Sequence, residues 1–307
     1  MPSTRFLVNR FFNTLIVILG VATATFYLAR ITGDPVDQLL PMEATREARE
    51  ALRHQLGLDV PIALQYTNFL KDIGTGEFGT AIRYREPALR MYLDRLPATV
   101  ELVVAAVIVS VFVGVLLGML AALHHKGPID HIVSWIALVG QAVPGFYLGL
   151  MLILVLSLQF GLLPTGGRGT WQQLIMPTLV LSGNYIALFA RMTRSSFLDT
   201  AKLDFVRTAR AKGLGPRAVN VKHVLRSALI PIVTLVGLQI GGLFSGAVVA
   251  ETVFTWPGIG RLAVDAIFAR DFPVVQTVVI LSATIFVLVN LVVDLLYVVV
   301  DPRISYA

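Results

Sequence analysis

The chain has 307 residues, of which 56% are hydrophobic and 14% are charged, and its mean hydropathy is +0.76. The hydrophobic fraction is higher, and the charged fraction lower, than a soluble domain with a water-exposed surface normally has, which excludes an ordinary soluble domain. The 25 lysine and arginine residues outnumber the 19 acidic residues, but they fall between apolar runs, which indicates the flanks of membrane spans and not a nucleic-acid surface.

Six apolar runs are long enough to cross a bilayer core of about 30 Å, which requires roughly 20 helical residues. They cover residues 11–29, 98–123, 132–158, 174–192, 229–250 and 274–300. The first run is predicted to be retained as a span, because it is long and no small-x-small cleavage pattern precedes the polar segment. The sequence therefore predicts an all-α integral membrane protein with about six transmembrane helices.

The positions of lysine and arginine near the spans predict the orientation of the chain. These cations lie before span one, in the loop between spans two and three, and most densely between spans four and five. All three segments share one side of a six-span chain, and the positive-inside rule makes that side cytoplasmic. Both termini are then cytoplasmic.

The opposite side receives a long polar insert after the first span. Within it, residues 42–56 interleave Glu and Arg at i, i+3 and i+4 spacing, which is typical of a solvent-exposed helix, and Gly57 supplies a stop. We divide the chain into 1–94 (first helix and extracytoplasmic insert), 95–300 (transmembrane domain, with a cytoplasmic loop at 193–228) and 301–307 (cytoplasmic tail).

The most informative stretch is 204–231, DFVRTARAKGLGPRAVNVKHVLRSALIP. A helical run, a break at 213–216 and a second helix opened by Pro216 predict a sharp cytoplasmic corner. The small residues at the corner are Ala209, Ala211 and Gly213, and the flanking cations are Arg207, Arg210 and Lys212. Small residues would let another protein approach closely, which favours a docking site. The alternative is an amphipathic helix that rests on anionic lipid head groups.

This segment resembles the cytoplasmic loop of ABC importer permeases, whose pattern is E-A-A, three residues, then Gly, and which forms a coupling helix in a groove of the ATPase. When Gly213 is aligned with the glycine of this pattern, positions 207–209 correspond to E-A-A, and only Ala209 is identical to the residue in the pattern. The departures resemble the peptide/nickel branch, which reads close to YVRTARAKGL. The resemblance assigns ATPase coupling to Arg207, Thr208, Ala209, Arg210, Ala211, Lys212, Gly213 and Leu214.

Further motifs of the same branch occur in order along essentially the whole chain. They are GDP (33–35), QLGLDVP (55–61), RLPATVEL (95–102), PGFYLGL (144–150), ETVFTWPGIGRL (251–262), ARDFPVVQ (269–276) and LVNLVVDLLYVVVDPR (288–303). The polar insert and the DPR ending resemble the first, B-type, of the two permease subunits. The resemblance implies a type I ABC importer transmembrane domain in the bacterial inner membrane.

That resemblance also implies the partners. They are a second homologous permease subunit, two ATP-binding cassette ATPases and an extracytoplasmic solute-binding protein, in addition to the lipid bilayer. ATP and magnesium would be bound by the ATPases, with no cofactor in this chain. The implied solutes are di- or oligopeptides, with nickel chelates, glutathione or another small solute as alternatives.

Several other residues are candidates for sites. Polar residues within spans could line a translocation path or bond between helices: Gln141, Asn184, Gln239 and Ser245. Asp294, an acid inside the last span, could serve that path or pair with a neighbouring cation or helix. An outward turn could contact the solute-binding protein or form an interfacial aromatic anchor: Trp256, Pro257, Gly258 and Arg261.

Catalysis is not predicted. No histidine lies within a span for a serine hydrolase, and Asp294 is the single acid well inside one, whereas an aspartyl mechanism needs two. No phosphate-binding loop ending in Gly-Lys-Ser/Thr occurs, and five histidines without cysteine suggest no metal site. An ion-coupled carrier remains as an alternative, although such carriers ordinarily show internal repeats and broken or charged helices at the midplane.

Overall fold

A computed structural model describes residues 4–32, 36, 40, 44–55 and 57–300 of the chain. Those residues contain no β-strand, and one isolated bridge joins Thr80 and Pro87. The helices are α1 (Thr4–Thr32), α2 (Arg46–Gln55), α3 (Ile62–Thr75), α4 (Ala88–Leu123), α5 (Pro128–Ala142), α6 (Gly145–Leu152), α7 (Trp171–Thr200), α8 (Asp204–Ala211), α9 (Arg226–Ala228), α10 (Ile230–Val253), α11 (Ile259–Phe268) and α12 (Phe272–Val300). Wider π-helical turns occur at Ile153–Gln159 and Ala218–Leu225. The predicted all-α class is confirmed.

Within the described residues, five helices are long and apolar enough to cross a membrane: α1, α4, α7, α10 and α12. A sixth span results when a bent helix pair is counted as one, so the predicted count of about six is confirmed. The largest difference from the predicted boundaries is in α4, which begins at Ala88 and not at 98. Its 36 residues extend about 54 Å, which exceeds the roughly 30 Å of a hydrocarbon core. The first turns of α4, before residue 98, therefore extend beyond the hydrocarbon core and belong to the polar segment that follows the first span.

The third span is not the continuous helix that was predicted over 132–158. It consists of α5 and the helix from Gly145 to Gln159, which meet at an angle of 102°. Pro144 causes the break, because it cannot donate the hydrogen bond that would continue α5 and it forces Val143 into an extended conformation, with ψ of 121°. This pair is either a broken span or a re-entrant loop.

The described residues divide into two compact units. One consists of residues 4–97 and 258–291. In it, α1 and α3 are joined by side chains: the Arg30 guanidinium donates to Gln65 Oε1 at 2.7 and 3.1 Å, and the Thr23 and Tyr66 hydroxyl oxygens lie 2.6 Å apart. The buried cluster of this unit contains Tyr92, together with residues of α11 and α12.

The solvent-exposed helix that was predicted in the polar insert is present as α2. Gly57 ends it in the left-handed region, with φ of 62°, and the Leu58 N–H donates to the Arg53 carbonyl oxygen at 2.9 Å. A glycine adopts this conformation without steric cost, which explains the stop signal.

The second unit consists of residues 98–257 and 292–300. Its main buried cluster joins α4, α7 and α10 and includes Leu102, Leu181 and Leu243. Two glycines one turn apart let α4 approach α7 closely. A Cβ built at Gly114 would lie 2.6 Å from Phe189 Cβ, and one built at Gly118 would collide with the Ala190 carbonyl oxygen. The backbones therefore pack at a distance that no larger residue permits.

Candidate functional site

The corner after α7 is built as the sequence predicts. Helix α8 ends where Gly213 adopts a φ of 78°; its N–H donates to the Arg210 carbonyl oxygen at 2.9 Å and the Leu214 N–H reaches the Ala209 oxygen at 3.4 Å. This is the left-handed glycine stop of many helices, and Pro216 then begins the next helix.

The inner face of the corner packs against the chain itself. Val206 and Ala209 are buried with Val219 and Val224 of the π-helical segment, and Phe197 of α7 belongs to the same cluster. Ala209 is 6% exposed. The Ala209 methyl group therefore belongs to the internal packing of the corner and not to its exposed face, while the role of the segment in ATPase coupling stays a prediction.

The outer face of the corner is exposed and cationic. Its exposed side chains include those of Arg207, Thr208, Arg210, Ala211 and Lys212. Leu214 is 41% exposed, and no atom lies within 4 Å of a Cβ built at Gly213. Apolar Leu214 and small Ala211 between three cations form a surface on which a partner can pack; we call it the corner surface.

A buried ion pair fixes the helix from which the corner projects. The Arg194 guanidinium on α7 donates to both oxygens of Asp130 on α5, at 2.6 and 2.8 Å. Asp130 also accepts the Lys126 N–H at 2.9 Å, and His125 Nδ1 lies 3.2 Å from Arg194 Nη2. The Asp130 side chain is 4% exposed and that of Arg194 is 31% exposed. The pair joins the α4–α5 loop to the end of α7, and the sequence reading did not identify it.

A second polar contact joins both sides of the corner. The Ser196 hydroxyl on α7 donates to the Ala228 carbonyl oxygen of α9 at 2.9 Å. This hydrogen bond links the segment that enters the corner to the segment that leaves it.

The polar residues that were predicted to line a path lie on α5, α7 and α10. Helix α7 contacts both α5 and α10. Asn184 and Ser245 are exposed in the isolated chain, as is Gln141, whereas Gln239 is half-buried. A Cβ built at Gly140 would lie 3.6 Å from the Gly183 carbonyl oxygen, which brings α5 and α7 together beside Gln141 and Asn184.

The structure adds Tyr185 to this set. Its hydroxyl oxygen would lie 2.8 Å from a Cβ built at Gly242, and Gln239 Oε1 would lie 3.8 Å from the same point. Ser245 is one turn further along the exposed stripe of α10. Tyr185 was not predicted because a tyrosine in an apolar run carries no signal that distinguishes a polar contact from core packing.

The turn after α10 differs from the predicted outward contact. Trp256 is fully buried, and its Nε1–H donates to the Ala98 carbonyl oxygen at 2.8 Å. Its ring therefore neither anchors in an interface nor meets a partner. Gly258 is buried as well, Pro257 is half-buried, and Arg261 lies 3.7 Å from Asp265 in an ion pair.

Glu251 is a buried acid that was predicted to lie just beyond span five. Helix α10 continues to Val253, so Glu251 lies within it, fully buried, and accepts a hydrogen bond from Thr99 of α4. The side chain of the predicted acid, Asp294, lies outside the described residues. Within the described part of the chain, no group of three histidine or acidic residues is arranged to hold a metal ion.

Two family models match the chain. The model described as binding-protein-dependent transport system inner membrane component matches residues 114–306. The model for the N-terminal part of such membrane components matches residues 3–103.

Curated relatives match over nearly the whole length. The dipeptide transport system permease protein DppB of Alkalihalophilus pseudofirmus is 38% identical and covers 94% of this chain and 96% of its own. The glutathione transport system permease protein GsiC of Escherichia coli strain K12 is also 38% identical, over 98% of this chain and 99% of its own.

Solved structures show the same fold. The inward-facing MetNI methionine ABC transporter matches with a TM-score of 0.60 at 18% identity, over 70% of this chain and 99% of the matched chain. An amino acid ABC transporter crystallised with histidines matches with a TM-score of 0.53 at 19% identity, over 70% of this chain and 94% of the matched chain.

Proposed function

The chain belongs to the family of binding-protein-dependent transport system inner membrane components, and on that premise we propose how its parts serve transport. It is a permease subunit of an ATP-driven ABC importer. The predicted resemblance to peptide/nickel permeases is confirmed, and an ion-coupled carrier is not favoured. The transported solute is proposed to be a di- or oligopeptide or a related thiol peptide such as glutathione, by analogy with the two relatives.

The corner surface is proposed to be the contact with the ATPase. The supporting observation is that the two faces of the corner differ. The inner face of α8 packs in the chain's own buried cluster, whereas the outer face of the corner exposes Ala211 and Leu214 beside cations. Such a helix moves as a rigid part of the permease. ATP-driven closure of the two ATPases would then move α8, and the Asp130–Arg194 pair and Ser196 would pass the displacement to the membrane helices.

Bulky or charged replacements on the corner surface test this proposal. We expect Ala211→Trp to weaken ATPase binding by about tenfold, since overpacking costs roughly 1–3 kcal/mol and 1.4 kcal/mol is a factor of ten. Leu214→Asp should weaken it at least as much, because it replaces an apolar contact by a charge that the interface would have to bury. Both residues are exposed, so membrane abundance should remain normal. The measurements are solute uptake, ATPase stimulation and pull-down of the ATPase at matched expression.

The control for these variants is Ala63→Trp, which places the same bulk on the exposed face of α3. Gly213 is unsuitable as a probe, because any side chain at its φ of 78° strains the backbone without a partner. Full uptake and unchanged ATPase binding in both corner variants would contradict the proposal. Loss of function only after neutralisation of Arg207, Arg210 and Lys212 would instead support the lipid-surface alternative.

The exposed polar residues are proposed to line the translocation path. Asn184, Ser245 and Gln141 lie within apolar helices yet are exposed in the isolated chain. Uncharged polar groups avoid lipid and face a bundle interior or water, so this face is proposed to meet the second permease subunit. A pseudo-symmetric pair of subunits would then enclose the path, with the solute-binding protein delivering solute from outside and the two ATPases binding ATP and magnesium inside.

The proposed topology has both termini and residues 193–228 in the cytoplasm and 30–97 outside. The chain contains no cysteine, so single cysteines report on each side without interference. We expect Glu77→Cys to react with an impermeant maleimide applied to intact cells, whereas Thr208→Cys should react only after lysis. Both positions are exposed, which removes burial as an explanation. Labelling of Thr208→Cys from outside would overturn the topology.

A further inference from the structure

A small polar cavity lies within the unit formed by residues 4–97 and 258–291. Its volume is about 210 Å³. Its walls come from the loop before α4, the first turns of α4, helix α11 and the start of α12. The charged side chains that line it are those of Arg83, Glu86, Asp94, Arg95, Asp265 and Asp271. The lining thus contains four acidic and two basic residues, so its net charge is negative.

Asp271 is the unusual member of this lining because it is 2% exposed. Its Oδ2 accepts the backbone N–H of Arg83 at 3.1 Å, but its Oδ1 is buried without a hydrogen-bond partner. The Arg83 guanidinium lies over the Tyr84 ring, 5.7 Å from the centroid. A buried carboxylate oxygen without a partner is costly, and native proteins rarely keep one without a role.

The other carboxylates keep much of their capacity to bind a cation. Asp265 and Asp94 form ion pairs within their own helices at 3.7 and 3.9 Å, distances too long for strong hydrogen bonds. Both side chains are more than half exposed, and such surface pairs contribute little. A cationic group that enters the cavity would therefore displace only weak contacts of Asp94 and Asp265, although it would also meet the positive charges of Arg83 and Arg95.

We propose that this cavity seats one lysine or arginine side chain of the extracytoplasmic solute-binding protein, with Asp271 as its carboxylate partner. The inference rests on the proposed function, which supplies such a partner, and on the proposed topology, in which 30–97 and also 251–273 lie outside the membrane. The cavity is smaller than the roughly 300–1,000 Å³ of typical ligand pockets, so it suits a single side chain better than a whole peptide. Arginine side chains that fill desolvated pockets are enriched among the hot spots of protein interfaces, and hydrogen bonds between charged groups are stronger than neutral ones.

The test measures the affinity of the solute-binding protein for the purified permease pair in nanodiscs. We expect Asp271→Asn to weaken binding by five- to tenfold, because it removes the charge and preserves the shape. Arg95→Gln should tighten binding at least threefold, because it removes a cation from the same lining. Asp72→Asn, an exposed acid on α3, should leave binding unchanged.

The expected changes in affinity of Asp271→Asn and Arg95→Gln have opposite signs, which distinguishes an effect on recognition from an effect on folding. A damaged fold would weaken binding in both cavity variants, whereas a charge effect weakens one and strengthens the other; membrane abundance and thermal midpoint are recorded for each. Unchanged binding in Asp271→Asn, or weakening in Arg95→Gln, would overturn the inference while the importer assignment stands. If the wild-type permease pair bound no solute-binding protein at all, the proposed partner itself would fail.

A substrate amino group is the competing occupant. In that case Asp271→Asn would leave the affinity for the solute-binding protein unchanged and would raise the KM for peptides with a free amino terminus, but not for N-acetylated peptides. That result would also overturn the inference.

Discussion

Asp130→Ala should lower the free energy of unfolding by about 3 kcal/mol and strongly reduce uptake. Removal of one partner of a buried ion pair costs roughly 3–5 kcal/mol, since the other charge is left uncompensated, and we take the lower end because Arg194 is 31% exposed. The Asp130 carboxylate also holds the Lys126 N–H, so the α4–α5 loop loses a support at the same time. The measurement is denaturant or thermal unfolding of the purified subunit, paired with uptake at matched expression.

The matched control is the nearby exposed pair of Asp199 and Lys202, whose side chains are 72% and 76% exposed at 3.3 Å. Exposed pairs contribute about 0–1 kcal/mol, so Asp199→Ala should scarcely change stability. Arg194→Lys tests geometry: it keeps the charge but cannot reproduce the two-pronged contact. We expect that variant to recover only part of the stability and to show ATP hydrolysis that is poorly coupled to uptake. Equal effects of Asp130→Ala and Asp199→Ala would refute the importance of the buried pair.

Gly118→Ala should destabilise the subunit by roughly 2 kcal/mol, although alanine is the better helix former. The added Cβ would collide with the Ala190 backbone and would lie 2.7 Å from Thr193 Cβ, and a backbone atom cannot move aside as a side chain can. Overpacking of this kind typically costs about 1–3 kcal/mol. Helices α4 and α7 would have to separate, which would also loosen the support of the corner.

Gly20→Ala in α1 is the counterpart, because no atom lies within 4 Å of a Cβ built there. With no collision, the change should stabilise by about 0.5–1 kcal/mol through helix propensity alone. The two variants are compared by their thermal midpoints in the same detergent and lipid. If both shift the midpoint upward, the close approach of α4 and α7 does not limit stability.

The sequence determined the class, the number of spans and the corner, because each depends on local or one-dimensional properties. Apolar runs of about 20 residues must become helices in a bilayer, and glycine followed by proline must end one helix and begin another. The left-handed Gly213 and the helix that starts at Pro216 follow that rule. Family membership was also readable, since the order of the motifs along the chain carries it.

The positions at which sequence reasoning failed depend on contacts between distant residues. Ala209 was predicted to admit a partner because it is small, and Trp256 was a candidate contact because it lies in an outward turn, but helix packing buries both. The Asp130–Arg194 pair joins residues 64 positions apart, and Thr99 and Glu251 are 152 apart. Hydrophobic periodicity specifies which face of a helix is buried, but not which charged group on another helix lies opposite. That pairing is decided only when the helices pack, because a buried charge finds its partner in three dimensions.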